Sequence, residues 1–301
     1  MFKRTTLMKT MLGGAVALIL AFPAWGQQEQ TMEQRLAVLE AKVARAEQQP
    51  MLELGHQIYE VACMTCHGKN GDGHGPSAKW MDPKPRNLTM GMYKWRTTGY
   101  GALPTDEDLE RVIRVGVSTT DMPPFGEILS RRSRMAVVEY IKTFHFGFSD
   151  PGQQPKGDAI VTLPAKRSFN PSPESVAKGK ELFTAHGCTA CHGPEGEGDG
   201  VAANGLIDAW GFPIRPWDFS LGYYKSGATE FDLFRTVTTG MSGTPMTGYG
   251  PRTTEDERWQ LVDYVMSLGA EHEESWMHEL FADEPSGKIY DAGHHPAKIN
   301  W

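Results

Sequence analysis

The stretch Cys63-Met-Thr-Cys66-His67-Gly68 returns later in the chain, with the same pattern, as Cys188-Thr-Ala-Cys191-His192-Gly193. The two stretches lie 125 residues apart and hold all 4 cysteines of the 301-residue chain. The segment that begins at Val137 matches the segment that begins at Leu261 at an offset of 124. Between them, Pro85–Lys94 matches Pro216–Lys225 at an offset of 131. The offset is nearly the same at both ends of the repeat and larger in the middle, so the two copies differ in loop length. This pattern indicates two copies of one domain that diverged in their loops.

The repeat divides the chain into six predicted segments. In chain order these are a signal peptide (1–26), an amphipathic helix (27–51), the first repeat (52–146), a proline-rich linker (147–173), the second repeat (174–270) and a C-terminal tail (271–301). The linker contains five prolines, a density that blocks helix formation and favours an extended chain.

The N-terminus has the features of a secretory signal. Lys3, Arg4 and Lys9 precede a short apolar run, and small residues at Ala24 and Gly26 suit cleavage after Gly26. The apolar run is shorter than the roughly 20 residues that a membrane-spanning helix needs. We therefore expect a periplasmic protein, with an uncleaved membrane anchor as the alternative.

Charge and composition narrow the range of partners. The whole chain carries a formal net charge of −7, and the predicted signal contributes only positive charges. An acidic protein of this kind is not expected to bind nucleic acid. It suits a protein partner that carries a basic patch.

Apolar residues in the 27–50 segment follow a heptad-like spacing. Met32, Leu36, Leu39 and Val43 form a seam along an otherwise charged helix. This seam predicts an oligomer or a docking site for a partner. The alternative is a helix that packs on its own domain.

Both repeats have helical signals and no sustained alternation typical of strands. Thr105 with Asp108, and Thr254 with Glu257, are typical of capping boxes that open helices. Ser172 before Pro173 indicates another helix start. The predicted fold class is all-α.

Cys-x-x-Cys-His is the pattern of c-type haem attachment. The two thiols add to the two vinyl groups of haem, and the adjoining histidine meets the iron. The sequence thus predicts two covalently bound haem c groups, held by Cys63, Cys66 and His67 and by Cys188, Cys191 and His192. A thioredoxin-like redox pair or a zinc site are the alternatives for each motif.

A methionine in register in each repeat is the predicted sixth ligand of the iron. Met122 follows Gly116 by six residues, and Met246 follows Gly240 by the same spacing. The predicted iron ligands are therefore His67 with Met122, and His192 with Met246. Alternatives are that these methionines fill the core, or that a second histidine ligates the iron. The histidines weighed for that role are His56, His74, His145 and His186. Side chains that could bind the haem propionates or line the edge of the pocket are Arg86, Trp95 and Arg96.

Each repeat resembles a class I cytochrome c domain. In that family a glycine and an aromatic residue on the first helix cross an aromatic residue on the last helix. Those places are held by Gly55, Tyr59 and Tyr140 in the first repeat and by Gly179, Phe183 and Tyr264 in the second. The tandem arrangement is similar to dihaem periplasmic cytochromes that serve respiratory oxidoreductases, including molybdenum enzymes of the nitrate and nitrite type.

The resemblance implies an electron carrier, with respiratory oxidoreductases or other cytochromes as its partners and with no catalytic residue. Two alternatives remain. One is a dihaem cytochrome c peroxidase, which needs one haem open to peroxide and an acid–base group beside it. The other is a subunit whose haems form a fixed wire inside a larger complex. The sequence leaves the donor, the acceptor and the direction of electron flow open.

Overall fold

The structure is a computed structural model that describes residues 31–227 and 229–281. At residues 40, 41, 43, 44, 47 and 270–281 only the backbone is described. The predicted signal peptide, and the predicted tail beyond residue 281, lie outside the described residues.

The described residues form helices, short 3₁₀ turns and loops, with no strand among them, which confirms the predicted all-α class. The α-helices are α1 (Met32–Ala62), α2 (Met64–His67), α3 (Asp106–Val115), α4 (Arg131–Lys142), α5 (Pro173–Ala185), α6 (Thr189–His192), α7 (Glu230–Thr239) and α8 (Glu255–Phe281). None of these helices combines the length and the apolar character needed to cross a bilayer.

The N-terminal helix differs from the prediction in its extent. The sequence predicted a helix of its own over 27–51, whereas α1 runs past that boundary and contains Pro50. Met32, Leu36 and Leu39 of the predicted seam are exposed, and the side chain of Val43 lies outside the described part. The described residues divide into two compact units between Arg45 and Ala46, and both repeats belong to the second unit.

In each repeat, the first and last helices approach each other closely at a glycine. A Cβ atom on Gly55 would lie 2.0 Å from the carbonyl oxygen of Ala136, and one on Gly179 would lie 2.0 Å from that of Gln260. Only glycine fits such a contact, because any side chain would force the helices apart. The predicted helix pairs of the cytochrome c resemblance are thereby confirmed in both repeats.

Aromatic residues fill the space beside each crossing. Tyr59 lies against Tyr140 with ring centroids 5.2 Å apart, and Phe183 lies against Tyr264 at the same distance. Each pair joins a separate apolar core. The first core is built mainly from Leu109, Ile113, Val137, Val138 and Ile141, and the second mainly from Leu233, Phe234, Trp259, Val262 and Val265. Burial of these side chains on folding is the main force that stabilises each repeat.

The predicted helix starts are confirmed. Thr105 and Asp108 form a reciprocal capping box at the start of α3, and Thr254 and Glu257 form one before α8. Ser172 caps α5, with Pro173 in its first turn. These caps satisfy backbone N–H groups that a helix start otherwise leaves without partners.

The segment 147–173 packs against both repeats, which differs from the extended linker that its prolines favoured. Val161 donates its backbone N–H to the carbonyl of Thr97 in the first repeat at 2.6 Å. Leu163 and Phe169 pack against the core of the second repeat. Proline prevented an α-helix here, as predicted, but apolar residues between the prolines found buried surfaces to contact.

A buried ion pair fixes the end of this segment. The Arg167 guanidinium donates to a carboxylate oxygen of Glu230 at 2.7 Å and to one of Asp263 at 2.6 Å. Asp263 is fully buried, and its other oxygen accepts from Ser175 at 2.5 Å. A carboxylate without contact with water needs these partners, because an unpaired buried charge is strongly destabilising.

We expect Arg167→Met to lower the free energy of unfolding by about 3 to 5 kcal/mol, because it leaves the Asp263 carboxylate buried without its cation. Urea unfolding of the haem-loaded protein measures this change. The matched control is Lys166→Met, at an exposed neighbouring position. Equal stability of the two variants would contradict the role of this ion pair.

Candidate haem-binding sites

Each Cys-x-x-Cys-His motif forms one tight helical turn. The backbone N–H groups of Cys66 and His67 donate to the carbonyl of Cys63 at 3.1 and 2.9 Å. In the second repeat Cys191 and His192 make the same bonds at 3.2 and 2.9 Å. The turn places both sulfurs and the imidazole on one short element, as attachment of a single haem requires.

All four cysteines are half-buried and free of disulfides. Burial raises the pKa of Cys63 to about 12 and that of Cys188 to about 11. Both sulfurs are therefore uncharged at neutral pH, which suits a place against an apolar vinyl group.

A backbone carbonyl orients each motif histidine. Nδ1 of His67 lies 3.0 Å from the carbonyl oxygen of Arg86, and Nδ1 of His192 lies 3.2 Å from that of Trp217. In the tautomer that donates from Nδ1, the Nε2 lone pair is available to a metal. Burial lowers the pKa of both histidines, which favours the neutral, ligating form. Arg86 and Trp217 hold equivalent positions in the alignment of Pro85–Lys94 with Pro216–Lys225, which is the signal by which the sequence could have revealed this role.

Glycine loops close over both motifs. The backbone N–H of Gly73 donates to the carbonyl of His67, and that of Gly198 to the carbonyl of His192, each at 2.8 Å. A Cβ on Gly75 would lie 2.3 Å from a motif carbonyl, that of Thr65. The loops thus bond the motif backbone and leave the cysteine and histidine side chains free for a haem.

Met122 lies at the end of a compact loop, 116–122, which we call the first Met loop. Val117 donates its N–H to the carbonyl of Met122 at 3.0 Å, and the N–H of Met122 donates to Oγ1 of Thr120 at 3.2 Å. The Met122 side chain packs against the first core, which Cys63 also touches.

Residues 240–246, which we call the second Met loop, repeat this bonding. Met241 donates to the carbonyl of Met246 at 2.9 Å, and the N–H of Met246 donates to Oγ1 of Thr244 at 3.2 Å. Met246 is half-buried. The structure gives both methionines the same backbone setting, and their assignment as iron ligands stays a prediction.

The two Met loops share a left-handed backbone position. Gly243 has φ +81°, and its counterpart Thr119 has φ +62°. Threonine is rare in this region because its Cβ is crowded there. The conformation is therefore imposed by the loop and its hydrogen bonds rather than by the local residue.

The competing histidines have other contacts. His56 stacks on Tyr140 at 4.9 Å, and His186 lies edge-on to Tyr249 at 5.8 Å. His145 accepts the backbone N–H of Gly147 at 3.1 Å, while His74 is exposed.

Two buried donors in the first repeat lack an acceptor among the described residues. They are the Tyr93 hydroxyl and Nε1 of Trp95, and Nε1 of Trp210 in the second repeat is in the same state. A buried donor without a partner is costly, so such groups point to a missing acceptor. The propionate carboxylates of a haem would supply acceptors of this kind, and the residues present fit a haem.

Two of the three predicted propionate ligands serve other purposes. Arg96 is fully buried and donates to backbone carbonyls on both repeats. Arg86 stacks its guanidinium on the Trp210 ring, 3.5 Å from the centroid. Nε1 of Trp95 has no acceptor among the described residues.

The zinc alternative lacks a ligand set in the part of the chain that the structure describes. No three or more His, Cys, Asp and Glu side chains converge there in a group that could hold a metal ion. The two cysteine pairs stay in separate repeats, each with its own histidine.

Two protein families match the two halves. The cytochrome c family matches residues 176–269, and the family of cbb3-type cytochrome C oxidase subunit III matches residues 50–141. The matched regions lie almost entirely within the two repeats.

Relatives with similar sequences are subunits of respiratory complexes. The chain is 25% identical to the cbb3-type cytochrome c oxidase subunit FixP of Azorhizobium caulinodans over 71% of its own length and 59% of that protein. It is 23% identical to the cytochrome bc1 complex cytochrome c subunit of Corynebacterium diphtheriae, over 76% of this chain and 71% of that subunit. The chain therefore spans only about three fifths of FixP.

One solved structure has a higher sequence identity to this chain. A chain of the reducing HAO-like protein complex of Kuenenia stuttgartiensis is 40% identical, with a TM-score of 0.66. The match covers 72% of this chain and 96% of that one. With both haem motifs in place, this protein belongs to the cytochrome c family and carries two cytochrome c domains in tandem, each with one covalently bound haem c.

Proposed function

We propose that this protein transfers single electrons between redox partners as a dihaem cytochrome with no bond-making chemistry of its own. A bound haem supplies a one-electron iron couple. The carrying observation is the match between the two repeats, since each contains a carbonyl-oriented histidine and a Met loop with the same pattern of backbone bonds.

The axial pairs we propose are His67 with Met122, and His192 with Met246. The supporting geometry is local. The histidine turn fixes Nδ1 on a carbonyl, and the Met loop closes on itself through the methionine's own backbone. A soft thioether opposite an imidazole favours Fe(II) and raises the potential, which suits a carrier in a respiratory chain.

We infer that the two repeats act as a fixed pair rather than as independent carriers. Arg111 of the first repeat forms an ion pair with Asp232 of the second and donates to the carbonyl of Ser226 at 3.1 Å. The packed 147–173 segment adds contacts to both sides. This arrangement, and relatives that are subunits of complexes, favour a haem-wire subunit with respiratory partners.

We also propose that the signal peptide directs the protein to the periplasm and is cleaved after Gly26. Haem attachment to cysteines there requires reduced thiols. N-terminal sequencing of the haem-loaded protein checks this, and an N-terminus that begins at Met1 would favour the anchor instead.

Electron transfer is tested by mixing the chemically reduced protein with an oxidised c-type cytochrome in a stopped-flow instrument. We expect reoxidation by two electrons per chain, and slow reaction with hydrogen peroxide. Peroxide turnover as fast as the oxidation by the cytochrome would overturn the carrier assignment in favour of the peroxidase.

Met122→His and Met246→His test the axial ligands. Each substitution should remove about half of the near-infrared methionine–iron band and lower one of the two potentials, because a nitrogen ligand favours Fe(III) relative to a thioether. Met90→His is the matched control, in a loop outside both sites. A full band in either ligand variant would exclude that methionine.

Tyr93→Phe tests the fit of the first haem. A hydroxyl that donates to a propionate offsets part of its negative charge, so its loss should stabilise Fe(III) and lower one potential. Spectropotentiometry measures the shift. Tyr223→Phe, at an exposed position, is the control. Unchanged potentials would show that Tyr93 does not contact the haem.

A further inference from the structure

The start of the second Met loop is held by a residue of the first repeat. Arg96 has no exposed surface, and its guanidinium donates to the carbonyl of Thr239 at 3.0 Å and to that of Gly240 at 3.4 Å. The Thr239 hydroxyl lies 3.2 Å from the carbonyl of Arg96 and can donate back to it. The first repeat therefore fixes the point at which the loop leaves α7.

The middle of the same loop is held by the next turn of the first repeat. The Tyr100 hydroxyl donates to the carbonyl of Thr244 at 2.6 Å. The backbone N–H of Gly101 donates to Oγ of Ser242 at 2.9 Å. Thr244 is also the residue whose side chain accepts the N–H of Met246, so these contacts end two residues from the sulfur-bearing residue.

Trp210 supports the loop from within the second repeat. A Cβ on Gly243 would lie 2.2 Å from the Trp210 ring, so the loop backbone lies directly against the indole. The guanidinium of Arg86, from the first repeat, stacks on the Trp210 ring. Burial lowers the pKa of Arg86 to about 10, which leaves it charged at neutral pH and able to attract the indole face.

A cavity of about 320 Å³ lies between Tyr100 and Gly101 on one side and residues 242–245 on the other. Individual hydrogen bonds from the first repeat hold the loop in place.

The first Met loop has no such support. In the described residues its hydrogen bonds stay within the loop and the end of α3, and the second repeat supplies none of them. The contrast is clearest at one aligned pair of serines. Ser242 is buried and accepts the backbone N–H of Gly101, whereas its counterpart Ser118 is exposed.

We propose that Arg96, Tyr100 and Gly101 form a clamp by which the first repeat keeps Met246 on the iron of the second haem. Axial ligation of the second haem then depends on docking of the first repeat, whereas ligation of the first haem is self-contained. The proposal rests on the proposed role of Met246 as a ligand. Arg96 and Tyr100 are positioning residues, since they act through the loop backbone.

The test uses the full haem-loaded chain with one Met–iron bond at a time. In a Met122→His background the near-infrared band reports the second haem alone, and imidazole competes with Met246 for the iron. Loss of one hydrogen bond should shift this competition about fivefold. We therefore expect Ser242→Ala and Tyr100→Phe each to raise the apparent imidazole affinity about fivefold.

The matched control is Ser118→Ala in a Met246→His background, where the band reports the first haem. Its imidazole affinity should stay unchanged, because Ser118 has no partner in the clamp position. Far-UV circular dichroism and haem content show that each variant is folded and loaded. Both substitutions avoid the fully buried Arg96, whose loss would also disturb the repeat itself.

Unchanged imidazole affinity in both Ser242→Ala and Tyr100→Phe would overturn the clamp. An equal increase in Ser118→Ala would do so as well, since it would show a general effect of the loop serine. Failure of the ligand assignment looks different. The near-infrared band would then be absent from the Met122→His background before any clamp variant is made, which would remove Met246 as ligand and the clamp's role with it.

Discussion

The contact between a glycine and a backbone carbonyl, where the first and last helices of each repeat cross, is the constraint on which both haem sites depend. At Gly55 and Gly179 the space for a side chain is already taken by the opposite backbone. The crossing fixes where α1 and α5 end, and the Cys-x-x-Cys-His turns begin directly after those ends. A haem site of this kind is therefore positioned by helix packing first and by its own side chains second.

The two sites share a backbone design but differ in their surroundings. Each pairs an Nδ1–carbonyl contact with a Met loop that closes on itself. Only the second Met loop, among the described residues, is bonded by the other repeat. The two repeats thus share the same backbone bonding, but the contacts between the repeats give the two Met loops different surroundings.

Three arginine side chains make their polar contacts in buried or half-buried places. Arg96, Arg111 and Arg167 each end on backbone carbonyls or carboxylates that would otherwise be buried without partners. Such pairs add specificity of docking more than stability, since desolvation offsets much of their attraction. They tie the repeats and the 147–173 segment into one unit, consistent with relatives that are subunits of respiratory complexes.

The resemblance to class I cytochrome c domains implied the glycine and aromatic pairs at the helix crossings. The sequence by itself determined the haem count, the all-α class and the helix caps. These features are local or repeated, so spacing and residue type suffice to read them. The sequence did not indicate the buried contacts of Arg96, the packing of the 147–173 segment or the full extent of α1. It also missed the carbonyls of Arg86 and Trp217 as histidine acceptors. Only the tertiary structure decided these points, because contacts between residues that are distant in sequence, here from 19 to 143 positions apart, leave no periodic signal in either segment. The same reason hides the clamp on the second Met loop, where residues 96–101 meet residues 239–244.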